Sequence, residues 1–399
     1  MNWNPARGGS RGLLVAFALA AAAGCADGIT DADRPLLFSA VSAGGDHTCG
    51  IGTDGGAFCW GRGAYGELGT GGTEDSPVPV RVGGGVHFTA ISAGGSHTCG
   101  LAEDGSAYCW GWNVAGQLGT GNTVGYGLPT IVTGGLHFEA ITSGENHTCA
   151  IAADGTAYCW GDNGSGQLGN GTTLGAVQPV AVAGGLRFIS LSAGAAHTCG
   201  VSVDGVAYCW GLNHLGQLGT GGTEDAWEPT RVAGDLDFVM ISAGFAHTCA
   251  IAVDGAAYCW GSNTAGELGN TFIEPPRHAG TLEPGRVHGG AGLVWISAGP
   301  HYTCGVGADG VGFCWGRGIY GQIGNGLTLN FATPQRISER PERISAGALR
   351  FRSVSTGGTH TCGRATTDAV YCWGTGELGQ LGNPGFNYSP VPILVTRLR

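Results

Sequence analysis

Two cysteines ten positions apart recur seven times along this chain, and this repeat restricts the possible folds more than any other feature. The first cysteine of each pair stands at positions 49, 99, 149, 199, 249, 304 and 362, so the period is 50 residues four times and then 55 and 58. The pairs share a framework that runs, with few departures, from Ser-Ala-Gly through His-Thr-Cys to Cys-Trp-Gly. A period of this length is typical of repeat architectures, in which each unit buries its apolar face against its neighbours.

Each repeat contains four short segments with the residue pattern of a β-strand. In the second repeat these are residues 88–92, 97–101, 107–111 and 129–132, separated by stretches rich in Gly, Asn and Asp. Four short strands per unit at this period are typical of a propeller blade. We therefore predict an all-β fold, a seven-bladed β-propeller of four-stranded antiparallel blades, over residues 38–399. A C-terminal strand at about 390–396 is predicted to close the ring by completing the first blade.

The spacing of the cysteines predicts one disulfide within each blade. Thr53-Asp54-Gly55 suits a three-residue hairpin loop with Gly in the left-handed position, which places Cys49 directly opposite Cys59. Cα atoms of such a non-hydrogen-bonded pair lie about 4.5 Å apart, at the short end of disulfide reach. The predicted disulfides are Cys49–Cys59, Cys99–Cys109, Cys149–Cys159, Cys199–Cys209, Cys249–Cys259, Cys304–Cys314 and Cys362–Cys372.

Two alternatives remain open for these cysteines. One is a set of buried, reduced thiols. The other is a metal site that combines His47 with Cys49 and Cys59, because all three would lie together in one hairpin. The sixth repeat argues against a metal, since Tyr302 replaces the histidine while both cysteines remain. We expect no metal.

Three other positions recur and are interpreted as structural. We expect each histidine to hydrogen-bond a backbone group, each tryptophan to pack between blades, and each aspartate to form its turn. The alternatives are a catalytic or metal-binding ring for the histidines and ligand contacts for the tryptophans. The residues are His47, His97, His147, His197, His247 and His360; Trp60, Trp110, Trp160, Trp210, Trp260, Trp315 and Trp373; and Asp54, Asp104, Asp154, Asp204, Asp254 and Asp309.

Residues 61–66, 316–321 and 374–379 match Gly-x-Gly-x-x-Gly, the dinucleotide-binding pattern, but the match is not functional. The middle Gly aligns with Asn113 and its equivalents, and Gly and Asn share a tolerance for positive φ. Each match also follows a predicted strand without opening a helix. No nucleophile elbow, zincin motif or P-loop is present in the sequence. We therefore expect no cofactor and no enzymatic activity.

The N-terminus has the pattern of an export signal. Arg7 and Arg11 precede an apolar run at 13–23, which is too short to span a bilayer as a helix. The run ends in Gly24-Cys25, which resembles the lipobox of bacterial lipoproteins and implies lipidation of Cys25. Residues 1–25 are thus predicted to be a lipoprotein-type signal peptide and 26–37 a tether, with the outer membrane as the expected location. Ordinary secretion and an uncleaved anchor are the alternatives.

The repeat resembles that of the regulator of chromosome condensation family. Trp110-Gly111, Asn113 and the run Gly-Gln-Leu-Gly at 116–119 carry the resemblance, which extends over all seven repeats. It implies a seven-bladed propeller but no single activity. Members of the family include a nuclear exchange factor for a small GTPase, a plant light sensor, accessory domains of ubiquitin ligases and a secreted β-lactamase inhibitor.

The residues that vary between repeats are the candidates for partner binding. A formal charge of −11, with all 18 basic residues being Arg and none clustered, excludes a nucleic-acid partner. We expect a monomeric, non-enzymatic scaffold in the cell envelope that binds an envelope or secreted protein and reaches the membrane through its lipid. The alternatives are a secreted enzyme inhibitor and, disfavoured by export, a GTPase exchange factor. The candidate binding residues are Arg62, Tyr65, Trp112, His214, Phe245, His301, Arg317 and Tyr320.

Overall fold

Seven four-stranded antiparallel sheets, one from each repeat, form the propeller. The computed structural model describes residues 36–270, 280–338, 349–385 and 387–396; the predicted signal peptide, Cys25 and most of the tether lie outside this part. The strands of blades 1 to 4 are β1 (Phe38–Ala43), β2 (His47–Gly52), β3 (Ala57–Gly61), β4 (Ser76–Arg81); β5 (Phe88–Ala93), β6 (His97–Ala102), β7 (Ala107–Gly111), β8 (Tyr126–Ile131); β9 (Phe138–Ser143), β10 (His147–Ala152), β11 (Ala157–Gly161), β12 (Ala176–Ala181); and β13 (Phe188–Ala193), β14 (His197–Ser202), β15 (Ala207–Gly211), β16 (Ala226–Arg231). Those of blades 5 to 7 are β17 (Phe238–Ala243), β18 (His247–Ala252), β19 (Ala256–Gly261), β20 (Thr281–Ala291); β21 (Leu293–Ala298), β22 (Tyr302–Gly307), β23 (Gly312–Gly316), β24 (Phe331–Arg336); and β25 (Phe351–Thr356), β26 (His360–Ala365), β27 (Val370–Thr375), β28 (Tyr388–Leu394).

The order of strands in every sheet follows the chain, which confirms the all-β, seven-bladed prediction. In the second repeat the first three strands begin where the sequence places them, whereas the fourth begins at Tyr126 rather than 129. A 3-10 turn, Ala183–Gly185, follows β12. Within the described residues, no helix has the length and apolar character needed to cross a membrane.

One disulfide joins the second and third strands of each blade, as predicted. Cys49 pairs directly with Cys59 in the register of β2 and β3, with Cα atoms 4.1 Å apart. The loop closes as expected, because Gly55 has a φ of 78° and Asp54 Oδ1 accepts a hydrogen bond from Gly56 N. The other six pairs repeat this arrangement, and in all seven the sulfur atoms lie 2.07–2.12 Å apart.

The tryptophan of each blade packs into the core of the preceding blade, as the sequence indicated. Trp110 of blade 2 lies beside Ile51 and Leu68 of blade 1 and has no solvent exposure. Its Nε1 donates to the carbonyl of Glu67 at 2.9 Å, and Thr98 Oγ1 donates to the same carbonyl at 3.0 Å. The threonine bond recurs at all seven junctions and the tryptophan bond at six.

The buried histidines form the second part of this junction, but their partner differs from the expected one. His47 Nε2 lies 2.9 Å from Thr98 Oγ1 of the next blade, and the same contact recurs at all six histidines. Because the threonine proton is given to a carbonyl, the histidine must be the donor, so the proton sits on Nε2. The expected backbone partner is wrong because the carbonyl at this junction already accepts from threonine and tryptophan. Burial lowers the pKa of these imidazoles to about 3 or 4.

A ring of backbone hydrogen bonds surrounds the central axis, formed by the turns between the first and second strands of the blades. Gly45 N donates to Gly94 O of the next blade at 3.0 Å, and equivalent bonds join six of the seven junctions. Side chains are excluded here, because a Cβ on Gly44 would lie 2.5 Å from Gly94 O and 2.7 Å from His47 Cε1. The small residues that precede each His-Thr-Cys therefore line the axis.

The sixth repeat departs from this ring in two compensating ways. Pro300 stands where the other repeats donate a backbone N–H, so Gly357 O receives no such bond. Tyr302, in place of the histidine, donates its hydroxyl to Gly357 O at 3.1 Å and His360 O at 2.5 Å, and Thr361 Oγ1 lies 3.1 Å away. One hydroxyl thus replaces the missing proline donor and keeps the contact with the threonine of blade 7.

Ring closure corrects the prediction for the C-terminal strand. β28 pairs with β27 inside blade 7, and the first blade is already complete with its own β4. The reason is that each repeat contributes its four strands in one continuous run, and the first repeat begins in phase at Phe38. The ring closes by the same side-by-side contacts as elsewhere: Trp60 Nε1 donates to Gln380 O at 3.0 Å and Phe38 N donates to Asp368 O at 2.8 Å.

The buried histidines predict that stability falls in mild acid. An unfolded histidine binds a proton below a pKa of 6.5, whereas the folded ones remain neutral down to a pH of about 4 or lower. The free energy of unfolding should therefore be unaffected by these histidines above pH 6.5. Below pH 6.5 it should fall by about 1.4 kcal/mol per pH unit for each buried histidine. Chemical denaturation between pH 7.5 and 4.5 measures this slope. His97→Gln should reduce this slope by one histidine's share, and a flat profile would contradict the assignment.

The Pro300 and Tyr302 pair predicts a specific rescue. Tyr302→Phe leaves the buried Gly357 carbonyl without its donor, and should lower the free energy of unfolding by about 1–3 kcal/mol. Adding Pro300→Ala restores an N–H at position 300 that can reach this carbonyl, so the double variant should recover part of the loss. Denaturant unfolding of the four proteins in this cycle measures the coupling. Strictly additive effects would show that the two residues act separately.

Candidate functional site

Two short segments of each repeat vary in sequence, one just before His-Thr-Cys and one just after Trp-Gly. We call them the two variable windows, and they meet on one face of the propeller. The residue before each His-Thr-Cys and the residue after each Trp-Gly are joined by a backbone hydrogen bond, as in Arg62 N to Asp46 O at 3.0 Å and Arg317 N to His301 O at 2.8 Å. This follows from the hairpin, since β2 begins where β3 ends. We call this surface the variable face; it comprises residues 45–46 and 62–65 of the first repeat and their equivalents in the other six.

The central mouth of this face is formed mainly by glycine and alanine. All seven blades contribute to a cavity of about 120 Å³ on the axis. Larger residues reach it at Glu145, Phe245 and Pro300. The Glu145 carboxyl group lies over Gly95 of the neighbouring blade. Burial raises the pKa of Glu145, and the negative charge of Asp46 raises it further.

A first cluster, at the junction of blades 1 and 2, contains three of the predicted binding residues. The rings of Tyr65 and Trp112 have centroids 4.3 Å apart, and the guanidinium of Arg62 lies 4.6 Å from the Tyr65 centroid. Two carboxylates neutralise this guanidinium, Asp46 at 3.9 Å and buried Glu67 at 4.0 Å. Burial raises the pKa of Glu67, although its hydrogen bond from Tyr65 N and the charge of Arg62 act in the opposite direction.

A second cluster, on blades 5 and 6, contains four more of the predicted residues. Phe245 and His301 have ring centroids 6.0 Å apart, and the Arg317 guanidinium lies 4.9 Å from the Tyr320 centroid. The backbone bond between His301 and Arg317 makes the two pairs contiguous. Beneath them, 3.9 Å from His301 Nδ1, lies the Oε1 atom of Glu267.

Glu267 is the buried acid of the second cluster. Ser262 Oγ donates to it at 2.8 Å and Ala265 N at 2.7 Å. Burial would raise the pKa of Glu267, but the hydrogen bonds from His301 and from the backbone N–H groups of Glu267 and Ala265 hold the pKa at about 2. The sequence indicated both buried acids, since Glu67 and Glu267 replace the glutamine of the other repeats, but their position beneath Arg62 and His301 was not predicted.

His214 is the predicted residue that the structure leaves apart. Its side chain is 72% exposed and its Nδ1 lies 3.8 Å from Asp225. Among the described residues, no ring or cation contact joins His214 to either cluster.

The asparagine of each Trp-Gly-x-Asn segment has a different role from the predicted one. Asn113 Oδ1 accepts from Leu118 N at 2.9 Å and its Nδ2 donates to Val124 O at 2.8 Å, so the side chain holds the loop behind the variable face. Positive φ does not explain it, because Asp368 is the non-glycine residue with positive φ in the described part of the chain. Gly63 replaces asparagine in the first repeat because a Cβ there would lie 2.2 Å from Glu74 O.

The chemistry of the variable face favours binding. Basic and aromatic side chains dominate both clusters, and the two buried acids lie beside Arg62 and His301. Within the described ranges, no three His, Cys, Asp or Glu side chains are grouped to hold a metal ion. Arg, Tyr and Trp are the residue types enriched at protein-binding hot spots.

Comparison with known proteins gives the family. The model of the regulator of chromosome condensation (RCC1) repeat matches residues 54–101, 104–151, 154–201, 204–251 and 309–363. A second model of the same repeat matches 38–67, 88–117, 138–167, 188–217, 238–267 and 351–380.

Curated relatives match over part of the chain. The probable E3 ubiquitin-protein ligase HERC4 of Rattus norvegicus is 32% identical over 108 residues, which is 27% of this chain and 10% of the ligase. The ultraviolet-B receptor UVR8 of Arabidopsis thaliana is 32% identical over 94 residues, 24% of this chain and 20% of the receptor. The matched segment thus spans a tenth to a fifth of these relatives.

Solved structures share the fold. Human WBSCR16 superposes with a TM-score of 0.75 at 20% identity, covering 86% of this chain and 95% of that one. Yeast RCC1 (Prp20), in its complex with Kap60, gives a TM-score of 0.75 at 22% identity, covering 91% and 85%. With the repeat models matching most of the propeller, this chain belongs to the regulator of chromosome condensation (RCC1) repeat family.

Proposed function

We propose that this propeller is a non-enzymatic scaffold that binds a protein partner through its variable face. The observation that carries the proposal is the convergence of both variable windows on one face in all seven blades, through the same backbone hydrogen bond. The junctions behind that face are nearly uniform, so the residues that differ are displayed on a rigid support. A rigid support lowers the ordering cost of association.

Relatives with the same fold support a protein partner. One solved structure shows yeast RCC1 (Prp20) bound to Kap60, and another reports the binding properties of Prp20p to Gsp1p and histones. At 22% identity these likenesses concern the fold, so they indicate the kind of ligand without identifying it. Binding through a ring face is therefore proposed for this chain, and the partner is proposed to be an envelope or secreted protein.

The proposed setting is the cell envelope, with the chain exported and anchored through lipidated Cys25. Two features support export: the N-terminal pattern at 1–25 and the seven cysteine pairs, since structural disulfides persist in oxidising compartments. Cys25 is the cysteine left over once fourteen are paired, and lipidation would account for it. Metabolic labelling with palmitate, lost in Cys25→Ser, would support the anchor; secretion of an unlabelled chain would refute it.

Substitutions on the two ends of the blades test the binding face. Tyr65→Ala with Phe245→Ala should lower recovery of a partner from envelope extracts at least tenfold, since both side chains are exposed on the variable face. Val203→Ser with Val253→Ser is the matched control, because these exposed residues lie in hairpin turns at the other end of the strands. Quantitative mass spectrometry of proteins captured by the three chains measures the effect. Loss with the turn variants alone, or capture of cytosolic GTPases alone, would contradict the proposal.

A further inference from the structure

Two repeats place the same pair of residues on the variable face, and this gives an internal comparison. Arg62 and Tyr65 in the first repeat correspond to Arg317 and Tyr320 in the sixth, and each guanidinium lies over its tyrosine ring, at 4.6 and 4.9 Å from the centroid. The two arginines therefore have the same backbone position and the same aromatic support. They differ in the charges that surround them.

Arg62 is neutralised by two carboxylates, whereas Arg317 has no acidic partner among the residues that the structure describes. The residues that pair with Arg62 are Asp46 and Glu67, and their counterparts in the sixth repeat are His301 and Gln322. Gln322 uses its Oε1 to accept from Tyr320 N at 2.9 Å. In the described part of the chain, Arg317 forms no ion pair, and its guanidinium has the Tyr320 hydroxyl as hydrogen-bond partner at 3.4 Å.

Exposed apolar side chains accompany Arg317 in the second cluster and in the loop that follows β23. Phe245 is 50% exposed, Ile319 is 47% exposed and Tyr320 is 38% exposed. We call the set Phe245, His301, Arg317, Ile319 and Tyr320 the Arg317 strip; it begins at the axial mouth and follows blade 6 outward. Glu267 is the acid next to the strip, but it lies buried under His301 and already accepts hydrogen bonds from Ser262 and Ala265.

We propose that the Arg317 strip binds a carboxylate of the protein partner, next to an apolar side chain that covers Phe245 or Ile319. The proposal rests on the proposed function and names the chemistry of the partner. A guanidinium can hold a carboxylate through two parallel hydrogen bonds, and the contact with Tyr320 orients it beforehand. Because the chain carries a net charge of −11, a run of acidic residues would be repelled. The segment recognised therefore has one acidic group among apolar residues.

A library of random heptapeptides displayed on phage, selected on the full chain with its cysteines oxidised, tests this chemistry. The enriched peptides should carry Asp or Glu beside an aliphatic or aromatic residue. A synthetic copy should bind at least tenfold more weakly to Arg317→Gln and should change less than twofold with Arg231→Gln, a control arginine that is exposed at the end of β16 and pairs with Asp235. Replacing the peptide's acid by its amide should weaken binding to the unchanged chain by the same factor. The same replacement should not weaken binding to Arg317→Gln any further.

The outcomes separate this proposal from the wider one. Peptides without an acid, equal losses from both arginine variants, or additive effects of Arg317→Gln and the amide peptide would overturn the Arg317 strip. If binding is then lost with Trp112→Ala, the variable face still binds and the proposed function stands. If binding depends on no residue of the variable face, or no peptide is enriched, both proposals fail. Thermal unfolding of each variant confirms that it is folded, and Arg317→Lys should retain only part of the affinity because it cannot bind in two-pronged fashion.

Discussion

The propeller depends on one junction, in which a single backbone carbonyl accepts two hydrogen bonds from the next blade. At the first junction this is the Glu67 carbonyl, with Trp110 Nε1 and Thr98 Oγ1 as donors. His47 Nε2 of the first blade donates in turn to Thr98 Oγ1. All the side chains involved are buried, so each unmade bond would leave a polar group without water. The tryptophan adds a large apolar surface to the same contact. The junction therefore fixes the position of one blade on the next both by packing and by polar geometry.

Because the junction uses residues that every repeat supplies, the ring can close without exchanging a strand. Blade 7 meets blade 1 through Trp60 and Gln380 as any other pair of blades meets. The sixth repeat shows that the junction tolerates substitution. Tyr302 replaces a histidine there, and its hydroxyl donates to the Gly357 carbonyl, which Pro300 cannot reach with an N–H. Because these contacts fix the interior, the residues of the variable face can differ between repeats. The first and second clusters differ there in the charges around Arg62 and Arg317.

The sequence contained the blade count, the strand positions and the disulfide register, because period, alternation and the Asp-Gly turn are local signals. Cys49 opposite Cys59 follows from counting outward from Asp54. The predictions that the structure corrects concern contacts between residues that are far apart in sequence. The tail at 390–396 could have joined either neighbouring sheet, and strand pattern alone does not distinguish them. The threonine partner of His47 lies on another blade, 51 positions away, and Asn113 acts through a loop whose path the sequence does not reveal. The binding residues were proposed one by one, and their grouping into two clusters needed the ring.

The central claim, that neutral histidines donate through Nε2 to the neighbouring blade, can be measured directly by nuclear magnetic resonance. Two-bond ¹⁵N–¹H correlation of the imidazoles at pH 6.5 reports tautomer and charge for each of the 12 histidines. The account predicts six neutral rings protonated at Nε2, which stay neutral to a pH of about 4. Nδ1-protonated or charged imidazoles at the six junction positions would contradict the junction as described.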